Sequence, residues 1–354
     1  RDDAIARGRA PEHVGDDGMW PDRVLEIRPP PPAGGEAVWQ CHSWDHLVQD
    51  PDPERTNFGQ VADRPGRVDI NADHRDQPPM TAEQRRELEE LERQMRALGY
   101  AGGDEEEGDA SARADRVHPD WLHTNAVDYL PEHDLIVLST PQLGELWVID
   151  HSTTTEEAAW DAGGRWGRGG DLLWRWGNPR NYGCGTDADK RLYYQHDPTW
   201  LPGAEGGELR LLGSNNGGGR PDGDWSSVEE LVLPFDPEQG FLREPGQAFG
   251  PAEPAWSYAD REGFFSGFIS GAQRLPGGNT LICEGAPGRV FEVTREGEVV
   301  WELENPFGGD FMATPNAGQA PKTALFRATR VALDHPGLAG RELEPQPFPP
   351  ATAR

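Results

Sequence analysis

The fold is decided by a stretch late in the chain, Phe268-Ile-Ser-Gly-Ala-Gln-Arg-Leu-Pro-Gly-Gly-Asn-Thr-Leu-Ile-Cys283, which continues as Gly288-Arg-Val-Phe-Glu-Val-Thr-Arg-Glu-Gly-Glu-Val-Val-Trp301. Short apolar runs alternate here with Leu-Pro-Gly, Gly and Glu-Gly turns. Gly and Pro supply the backbone conformations that tight strand reversals require. The stretch therefore predicts four antiparallel strands in a meander, the last of which ends in a tryptophan.

The same order of strands and turns occurs twice more, in residues 121–176 and 195–258. Two further strands, at residues 23–28 and 34–39, match only the last half of a copy. The closing tryptophans are Trp39, Trp176, Trp256 and Trp301. Their spacing is uneven, but the order of strands and turns is constant, which indicates an internal repeat.

Repeated four-stranded meanders are typical of β-propeller blades, because one meander cannot bury both of its faces without neighbours. We therefore expect an all-β fold in which residues 1–354 form a single β-propeller domain. The chain offers about three full blades and a partial one, whereas propellers close with about four to eight. We expect the missing blades to lie upstream of Arg1, which is not a methionine, or to come from another chain.

One segment, residues 72–118, interrupts the repeats. Thr81-Ala-Glu-Gln84 is a capping box, and apolar residues follow at helical spacing until Gly99. The spacing predicts a helix over 81–98, followed by an acidic exit, and we expect its leucine stripe to dock on the propeller. Residues 331–354 are expected to form a C-terminal tail.

Composition and charge exclude several classes of protein. Asp and Glu number 62 against 33 Lys and Arg, so the formal net charge is -29, which argues against a nucleic-acid partner. No apolar run of about 18 residues exists, so we expect no membrane-spanning helix. Three cysteines, Cys41, Cys184 and Cys283, are too few for a disulfide framework or a zinc site, although one pair could bridge in an oxidising compartment. No metal is expected.

Two histidines, His123 and His196, each open a first strand in adjacent copies. First strands line the central channel of a propeller, so equivalent positions would bring both imidazoles to one channel mouth. The polar neighbours Asn125 and Asp197 favour a functional site. The alternative is that each histidine only satisfies a backbone carbonyl within the inner ring of strands.

Several motifs, taken in order, resemble the bacterial PAPS-independent arylsulfotransferase family. They are Asp120-Trp-Leu-His-Thr-Asn125, Ile149-Asp-His-Ser-Thr-Thr-Thr155, Gly169-Gly-Asp-Leu-Leu-Trp-Arg-Trp-Gly-Asn-Pro179, Gln195-His-Asp197, Asn215-Asn-Gly-Gly-Gly-Arg220, Ser226-Ser-Val-Glu-Glu230, Ile269-Ser-Gly-Ala-Gln-Arg-Leu-Pro-Gly-Gly-Asn-Thr-Leu-Ile282 and Phe326-Arg-Ala-Thr-Arg330. The resemblance covers about residues 20 to 340. It implies a six-bladed propeller, exported to the periplasm or outside the cell, that needs no cofactor. Such a protein passes a sulfuryl group from an aryl sulfate to a phenol through a sulfohistidine.

The resemblance also implies roles for individual residues. His196 matches the nucleophile, and His123 with Asn125 matches the element that holds the sulfate oxygens. The position of the family's sulfate-binding arginine reads Pro141, which has no N–H to donate. Arg220 is a possible replacement for that guanidinium, or else a solvated turn residue, and His46 is a possible substitute for a second family histidine.

A second class of function stays open at this point. A propeller that keeps the fold without catalysis would use its face to bind a partner, and Pro141 favours that alternative. Trp121 and Trp200 could stack on a phenol ring near the channel or serve the core equally well. A homo-oligomer, or a partner that supplies further blades, is also consistent with the sequence.

Overall fold

A computed structural model describes residues 1–15, 17–29, 34–74, 119–202, 207–307 and 323–344. The helix expected over 81–98 and almost all of the insertion that holds it lie outside these ranges. Within them the chain is mostly strand and turn, with one short α-helix, Asp2–Ala6, and several 3-10 helices of three or four residues. The expectation of an all-β fold is confirmed.

The described residues contain strands that pair in six small sheets. They are β1 (Arg23–Arg28), β2 (Glu36–His42), β3 (Leu47–Val48), β4 (Val68–Asp69), β5 (Ala126–Leu130), β6 (Leu135–Thr140), β7 (Glu145–Asp150), β8 (Trp174–Trp176), β9 (His196–Trp200), β10 (Arg210–Asn215), β11 (Ser227–Val232), β12 (Phe235–Asp236), β13 (Gly240–Phe241), β14 (Trp256–Ala259), β15 (Gly271–Arg274), β16 (Thr280–Glu284), β17 (Arg289–Val293) and β18 (Val299–Glu304).

Three of the sheets are the four-stranded meanders expected from the repeats. Their strand orders are β5-β6-β7-β8, β9-β10-β11-β14 and β15-β16-β17-β18, and every pairing in them is antiparallel. The hairpin β12–β13 is inserted before the last strand of the second sheet. The strands β1 and β2 form the two-stranded antiparallel sheet that corresponds to the partial copy. The predicted strands of each copy are therefore present.

The hydrophobic core lies between successive sheets. Consecutive residues of a strand point to opposite faces, so Leu211 and Leu212 of β10 serve different neighbours. Leu211 packs in a cluster with Leu146 and Trp176 of the first four-stranded sheet. Leu212 packs in another cluster with Ile282 of the third. A sheet with neighbours on both faces can bury both faces of its strands, and β6 and β7 are buried along their whole length.

The closing tryptophans join each sheet to the next one along the chain. Trp39 of β2 donates its indole N–H to Thr153 Oγ1 at 3.1 Å, beyond β7. Trp176 of β8 donates to the carbonyl oxygen of Pro251 at 2.7 Å, before β14. Trp256 of β14 donates to the carbonyl oxygen of Arg295 at 2.8 Å, between β17 and β18. Each acceptor lies in the connection between the third and fourth strands of the following sheet, so the sheets repeat the same contact.

The residues before β5 cover one side of the first sheets. Ala4 of the N-terminal helix, Trp44 and Val68 share a core cluster with Ile136 of β6. Cys41, Cys184 and Cys283 are free thiols, so the disulfide that they could have formed is not present. Among the described residues no helix is long and apolar enough to span a membrane, as expected.

The C-terminal residues return to the third four-stranded sheet after β18. Ser270 donates its N–H to the carbonyl oxygen of Phe326 at 3.1 Å, and the Arg330 N–H donates to Gln273 Oε1 at 2.7 Å. Residues 323–330 therefore run beside β15. Beyond them the described part of the tail is mostly exposed and holds one 3-10 helix, Pro336–Leu338.

Candidate functional site

The chain enters each first strand through a residue in the left-handed backbone region. These residues are His123 at φ 50°, Tyr194 at φ 55° and Ile269 at φ 50°. Asp197 within β9 and Ser270 before β15 have φ values of 53° and 91°. Non-glycine residues in this region cost on the order of 1–3 kcal/mol each and concentrate at functional sites. One such strained residue precedes the first strand of each four-stranded sheet, and this region is therefore the candidate site.

His196 occupies the first position of β9, where it pairs with Ser214 of β10. Its side chain is buried, with a residue exposure of 4%. Nδ1 lies 2.9 Å from the carbonyl oxygen of Tyr194 and 2.7 Å from Asn216 Oδ1. The entry to the strand therefore turns one edge of the imidazole toward fixed protein acceptors.

The partners of Asn216 settle the tautomer of His196. Asn216 Nδ2 donates to the carbonyl oxygens of Ser266 and Ile269 at 2.7 and 2.8 Å. Its other terminal atom must therefore be the oxygen, which can only accept. Nδ1 of His196 is thus the protonated nitrogen, and Nε2 carries the lone pair in the neutral ring.

Burial, with a smaller electrostatic contribution from His123, lowers the pKa of His196 to about 4. Hydrogen bonds to Asn216 and Tyr194 oppose the shift without cancelling it. The ring is therefore neutral at physiological pH. An imidazole of this kind can act as a nucleophile without first losing a proton.

His123 lies against an aspartate three residues earlier. Its Nδ1 is 2.5 Å from Asp120 Oδ2, and because a carboxylate accepts, this nitrogen carries a proton. The segments that carry His123 and His196 meet, because Asn125 donates to the carbonyl oxygen of Gln195, and His123 contributes to the lowered pKa of His196. Sequence analysis did not single out Asp120, although the residue opens one of the quoted motifs.

The two histidines do not occupy matching places, and that expectation is corrected. His196 is the first residue of β9 and pairs with Ser214, whereas the corresponding residue of β5 is Ala126, which pairs with Ser139. His123 lies three residues before Ala126. A register irregularity between Leu212 and Ser214 accompanies the altered path of β9. Local bulges change register without leaving a clear signature in the sequence.

Asn125 ties the first two four-stranded sheets together. Its Nδ2 donates to the carbonyl oxygen of Gln195 at 2.9 Å, and Ser139 Oγ donates to the same oxygen at 3.2 Å. Gln195 Nε2 in turn donates to the carbonyl oxygen of Glu145 at 2.8 Å. In the part of the chain described, Asn125 Oδ1 has no hydrogen-bond partner. The bond to Gln195 uses one of the two hydrogens on Nδ2 of Asn125, so the second hydrogen can serve a ligand.

His46 is held between two protein acceptors. Its Nδ1 lies 2.8 Å from Asp171 Oδ1, and its Nε2 lies 2.8 Å from the carbonyl oxygen of Ala158. Burial favours the neutral ring, but Asp171 and the Cys41 thiol outweigh it and raise the pKa of His46 to about 10. Both ring nitrogens are therefore protonated and occupied. The structure places His46 in a structural ion pair, where it has no N–H left for a sulfate ester.

Arg220 is held by the loop between β10 and β11. Its Nε donates to the carbonyl oxygen of Trp225 at 3.1 Å, and its Nη2 donates to Ser227 Oγ at 2.9 Å. Its Cζ lies 3.8 Å from the Trp225 ring centroid and 5.5 Å from that of Tyr193. The guanidinium of Arg220 is thus bound by its own loop and is not a solvated turn charge. None of these contacts directs it at His196. Pro141 is buried just after β6.

A different arginine comes close to the His196 segment. Arg327 Nη1 forms an ion pair with Asp197 Oδ1 at 3.0 Å, next in the chain to His196. The contact depends on the return of residues 323–330 beside β15. Sequence analysis missed Arg327 as a site residue, although it belongs to the quoted motif Phe326-Arg-Ala-Thr-Arg330. Contacts between residues this far apart in the chain could not be read from the motif alone.

The tryptophans considered for ring stacking differ in their surroundings. Trp121 is buried in the core cluster beside Leu122 and Ile136. Trp200 is partly buried at the end of β9, where its backbone N–H donates to Asp128 Oδ2 at 2.8 Å. The core role fits Trp121. Within the described residues, no group of three histidine, cysteine, aspartate or glutamate side chains could hold a metal ion.

Comparison with known proteins leaves the family open. No protein family matches the sequence, and no protein of established function matches it either. Among solved structures, a protein of unknown function from Bacteroides caccae is similar over 51% of this chain, with 14% identity and a TM-score of 0.28. The match spans 45% of that protein's length. A likeness this weak carries no information about function.

Proposed function

We propose that the chain forms successive blades of a β-propeller and transfers a sulfuryl group from an aryl sulfate to a phenol through Nε2 of His196. The observation that carries the proposal is the state of His196, a buried and neutral imidazole whose Nδ1–H is fixed by Tyr194 and Asn216. The tautomer leaves the lone pair on Nε2. A sulfate ester needs a nucleophile that can both attack sulfur and depart from it.

Three features of the fold support the propeller part of the proposal. The first strands β5, β9 and β15 contact one another in chain order, as strands around one axis do. The closing tryptophans repeat one contact from sheet to sheet. Residues 323–330 beside β15 stand where the first strand of a following blade would lie.

The proposed reaction consists of two displacements. In the first, the Nε2 lone pair attacks sulfur, the bond from sulfur to the aryl oxygen breaks, and the phenolate departs with the electron pair and takes up a proton from solvent. In the second, an acceptor phenol gives its proton to solvent and attacks sulfur, and the nitrogen–sulfur bond breaks with its electron pair returning to Nε2. The low basicity of His196 favours this second step, because a weakly basic nitrogen is a better leaving group.

The neighbouring groups suit the charges that develop. The carbonyl oxygen of Tyr194 and Asn216 Oδ1 accept the Nδ1–H, so they stabilise the positive charge that the ring gains in the sulfohistidine. His123 donates its Nδ1–H to Asp120, and when Nε2 carries a proton as well, that N–H can donate to the sulfuryl oxygens or to the departing phenolate. Arg327, anchored by Asp197, supplies a guanidinium near the same segment.

The test is turnover of 4-nitrophenyl sulfate by the full-length protein with a phenol acceptor, combined with intact-mass analysis. We expect release of 4-nitrophenol and a labile adduct with the mass of one sulfuryl group. His196→Asn should abolish both. His335→Asn, which changes an exposed histidine in the C-terminal segment, is the matched control and should retain both. An adduct that persists in His196→Asn would refute the assignment.

A non-catalytic binding scaffold is the second candidate. The specific observation in its favour is that Pro141 fills the position of the family's arginine, while Arg220 is bound by Trp225 and Ser227. This alternative predicts neither adduct nor turnover in the wild-type protein under the same conditions.

A further inference from the structure

A groove of about 840 Å³ lies outside the His196 site. Its walls come from three parts of the chain: residues 44–67 with the N-terminal helix, residues 159–171 between β7 and β8, and Arg243 beyond β13. None of the residues that line it is a hydrogen-bond partner of His196. A volume of this size suits a small-molecule ligand.

The groove is positively charged in a strongly acidic protein. Five arginines and four aspartates line it, whereas the whole chain carries a net charge of -29. Arg67 is committed to ion pairs with Asp161 at 2.9 Å and Asp171 at 3.3 Å. Across the described residues, Arg64, Arg168 and Arg243 form no ion pair. Of the described residues that line the groove, only the exposed Asp45 and Asp63 remain to oppose these three guanidinium groups.

The arginines are brought together by a fixed floor. Leu172 donates its N–H to the carbonyl oxygen of Gly66 at 2.7 Å, which joins the segment of Arg64 to that of Arg168. A Cβ at Gly66 would lie 3.0 Å from the Leu172 oxygen and 3.4 Å from Arg168 Nη1, so this close crossing favours glycine. Asp171 beneath it is held by Arg67 and by His46. The raised pKa of His46 keeps a further positive charge under the floor.

An aromatic surface adjoins the arginines. Trp160 lines the groove and, at 66% exposed, is the most exposed tryptophan of the chain. Its backbone is fixed, because its N–H donates to the carbonyl oxygen of Glu157 and its own carbonyl oxygen accepts from Gly170. An exposed indole on a fixed backbone offers a flat face for stacking, and guanidinium groups beside it offer planar donors for an oxyanion.

We propose that this groove binds a small ligand in which a flat ring carries a tetrahedral oxyanion, as in an aryl or sugar sulfate or phosphate. Arg64 and Arg168 bind the oxyanion, and Trp160 stacks on the ring. The inference does not depend on catalysis at His196, because the two places share no side chain.

The test is calorimetric titration of the full-length protein at low ionic strength. The titrants are 4-nitrophenyl phosphate, 4-nitrophenyl sulfate and inorganic phosphate, which separate the ring from the anion and one ester from the other. With 4-nitrophenyl phosphate, which is not a donor in the proposed His196 reaction, we expect one molecule to bind, more tightly than inorganic phosphate, and the affinity to fall as salt screens the arginines. The sulfate ester is titrated into His196→Asn, so that sulfuryl transfer does not consume it. Arg64→Gln combined with Arg168→Gln should weaken ester binding at least tenfold.

Three variants make the test specific. Arg341→Gln removes an exposed arginine in the C-terminal segment and should leave binding unchanged, as should His196→Asn. Trp160→Ala should reduce the affinity for 4-nitrophenyl phosphate to that for inorganic phosphate. Absence of ester binding in the wild type, equal loss in Arg341→Gln, or loss in His196→Asn would each overturn the proposal. A failure of sulfuryl transfer would leave it standing.

Discussion

Two buried histidines of this chain show how surroundings set the charge of one residue type. His196 presents Nδ1 to a carbonyl and an amide oxygen, both neutral, so burial prevails and its pKa falls to about 4. His46 presents Nδ1 to the Asp171 carboxylate and Nε2 to a carbonyl, and its pKa rises to about 10. A charged acceptor compensates the desolvated imidazolium, whereas neutral dipoles do not. The first ring can therefore serve as a nucleophile, and the second stabilises the fold.

The ion pair of His46 makes stability depend on pH. The pKa of His46 is raised by folding from 6.5 to about 10, so its contribution is complete below pH 6.5 and is lost as the pH rises through 10. We expect the wild-type free energy of unfolding, measured by urea denaturation, to decline across this window. His46→Gln should lower it by about 3 kcal/mol at pH 6, because a buried carboxylate loses a charged partner.

The same substitution should flatten the dependence between pH 6.5 and 10, while His335→Gln at the surface should leave both the value and the slope as they are. A wild-type stability that is constant across this window would contradict the assigned ion pair.

At the scale of the element, the closing tryptophans contribute more to holding neighbouring sheets together than the short strands that carry them. The strand β8 has three residues, yet Trp174 and Trp176 both donate to carbonyl oxygens beyond the hairpin β12–β13 of the next sheet, at 2.7 Å each. Such short strands contribute few ladder hydrogen bonds. Their indole side chains provide both apolar area and a directional bond, so they fix how neighbouring sheets sit.

We expect Trp176→Phe to lower the free energy of unfolding by about 1–3 kcal/mol, because the half-buried carbonyl oxygen of Pro251 loses its donor. Denaturant unfolding measures this change. The control is Trp160→Phe, which alters an exposed indole and should change stability by less than about 0.5 kcal/mol. Equal effects in the two variants would show that the indole bond between sheets contributes nothing.

At the scale of the whole molecule, the dominant quantity is charge. A net charge of -29 favours solubility, but the excess carboxylates repel one another in the folded state. The local arginine clusters oppose this repulsion: Glu230 accepts bonds from Arg210 and Arg274 at 2.7 Å each and from Arg295 at 2.5 Å. This cluster joins the second and third four-stranded sheets.

Salt should therefore raise the melting temperature. Between about 0.05 and 1 M NaCl the Debye length shrinks to about 3 Å, which screens the long-range repulsion while the buried pairs are less affected. Differential scanning calorimetry should show the rise, and sorbitol at equal osmolality should produce a smaller one. A melting temperature that falls with NaCl would mean that the ion pairs outweigh the repulsion.

The sequence by itself determined the strands of the three meanders and of the partial copy, because Gly and Pro turns and apolar alternation are local signals. It also singled out His196 and His123, which the structure brings near each other. Counted to the Leu-Pro turn that ends each first strand, His123 lies seven residues before Leu130 and His196 five before Leu201, so the sequence already places them differently. The bulge in β9, by contrast, could not be read from the sequence. The segments that bring Arg327 to Asp197 and Arg64 to Arg168 meet only in the folded chain.

Tertiary structure alone decided the charge of each buried histidine and the place of each arginine. Nothing in the sequence around His46 indicates its charge, because its charged state depends on Asp171, which lies 125 residues away. Local patterns specify backbone conformation, because turns and alternation act over a few residues. Protonation and ion pairing depend on burial and on distant partners, which only the packed sheets provide.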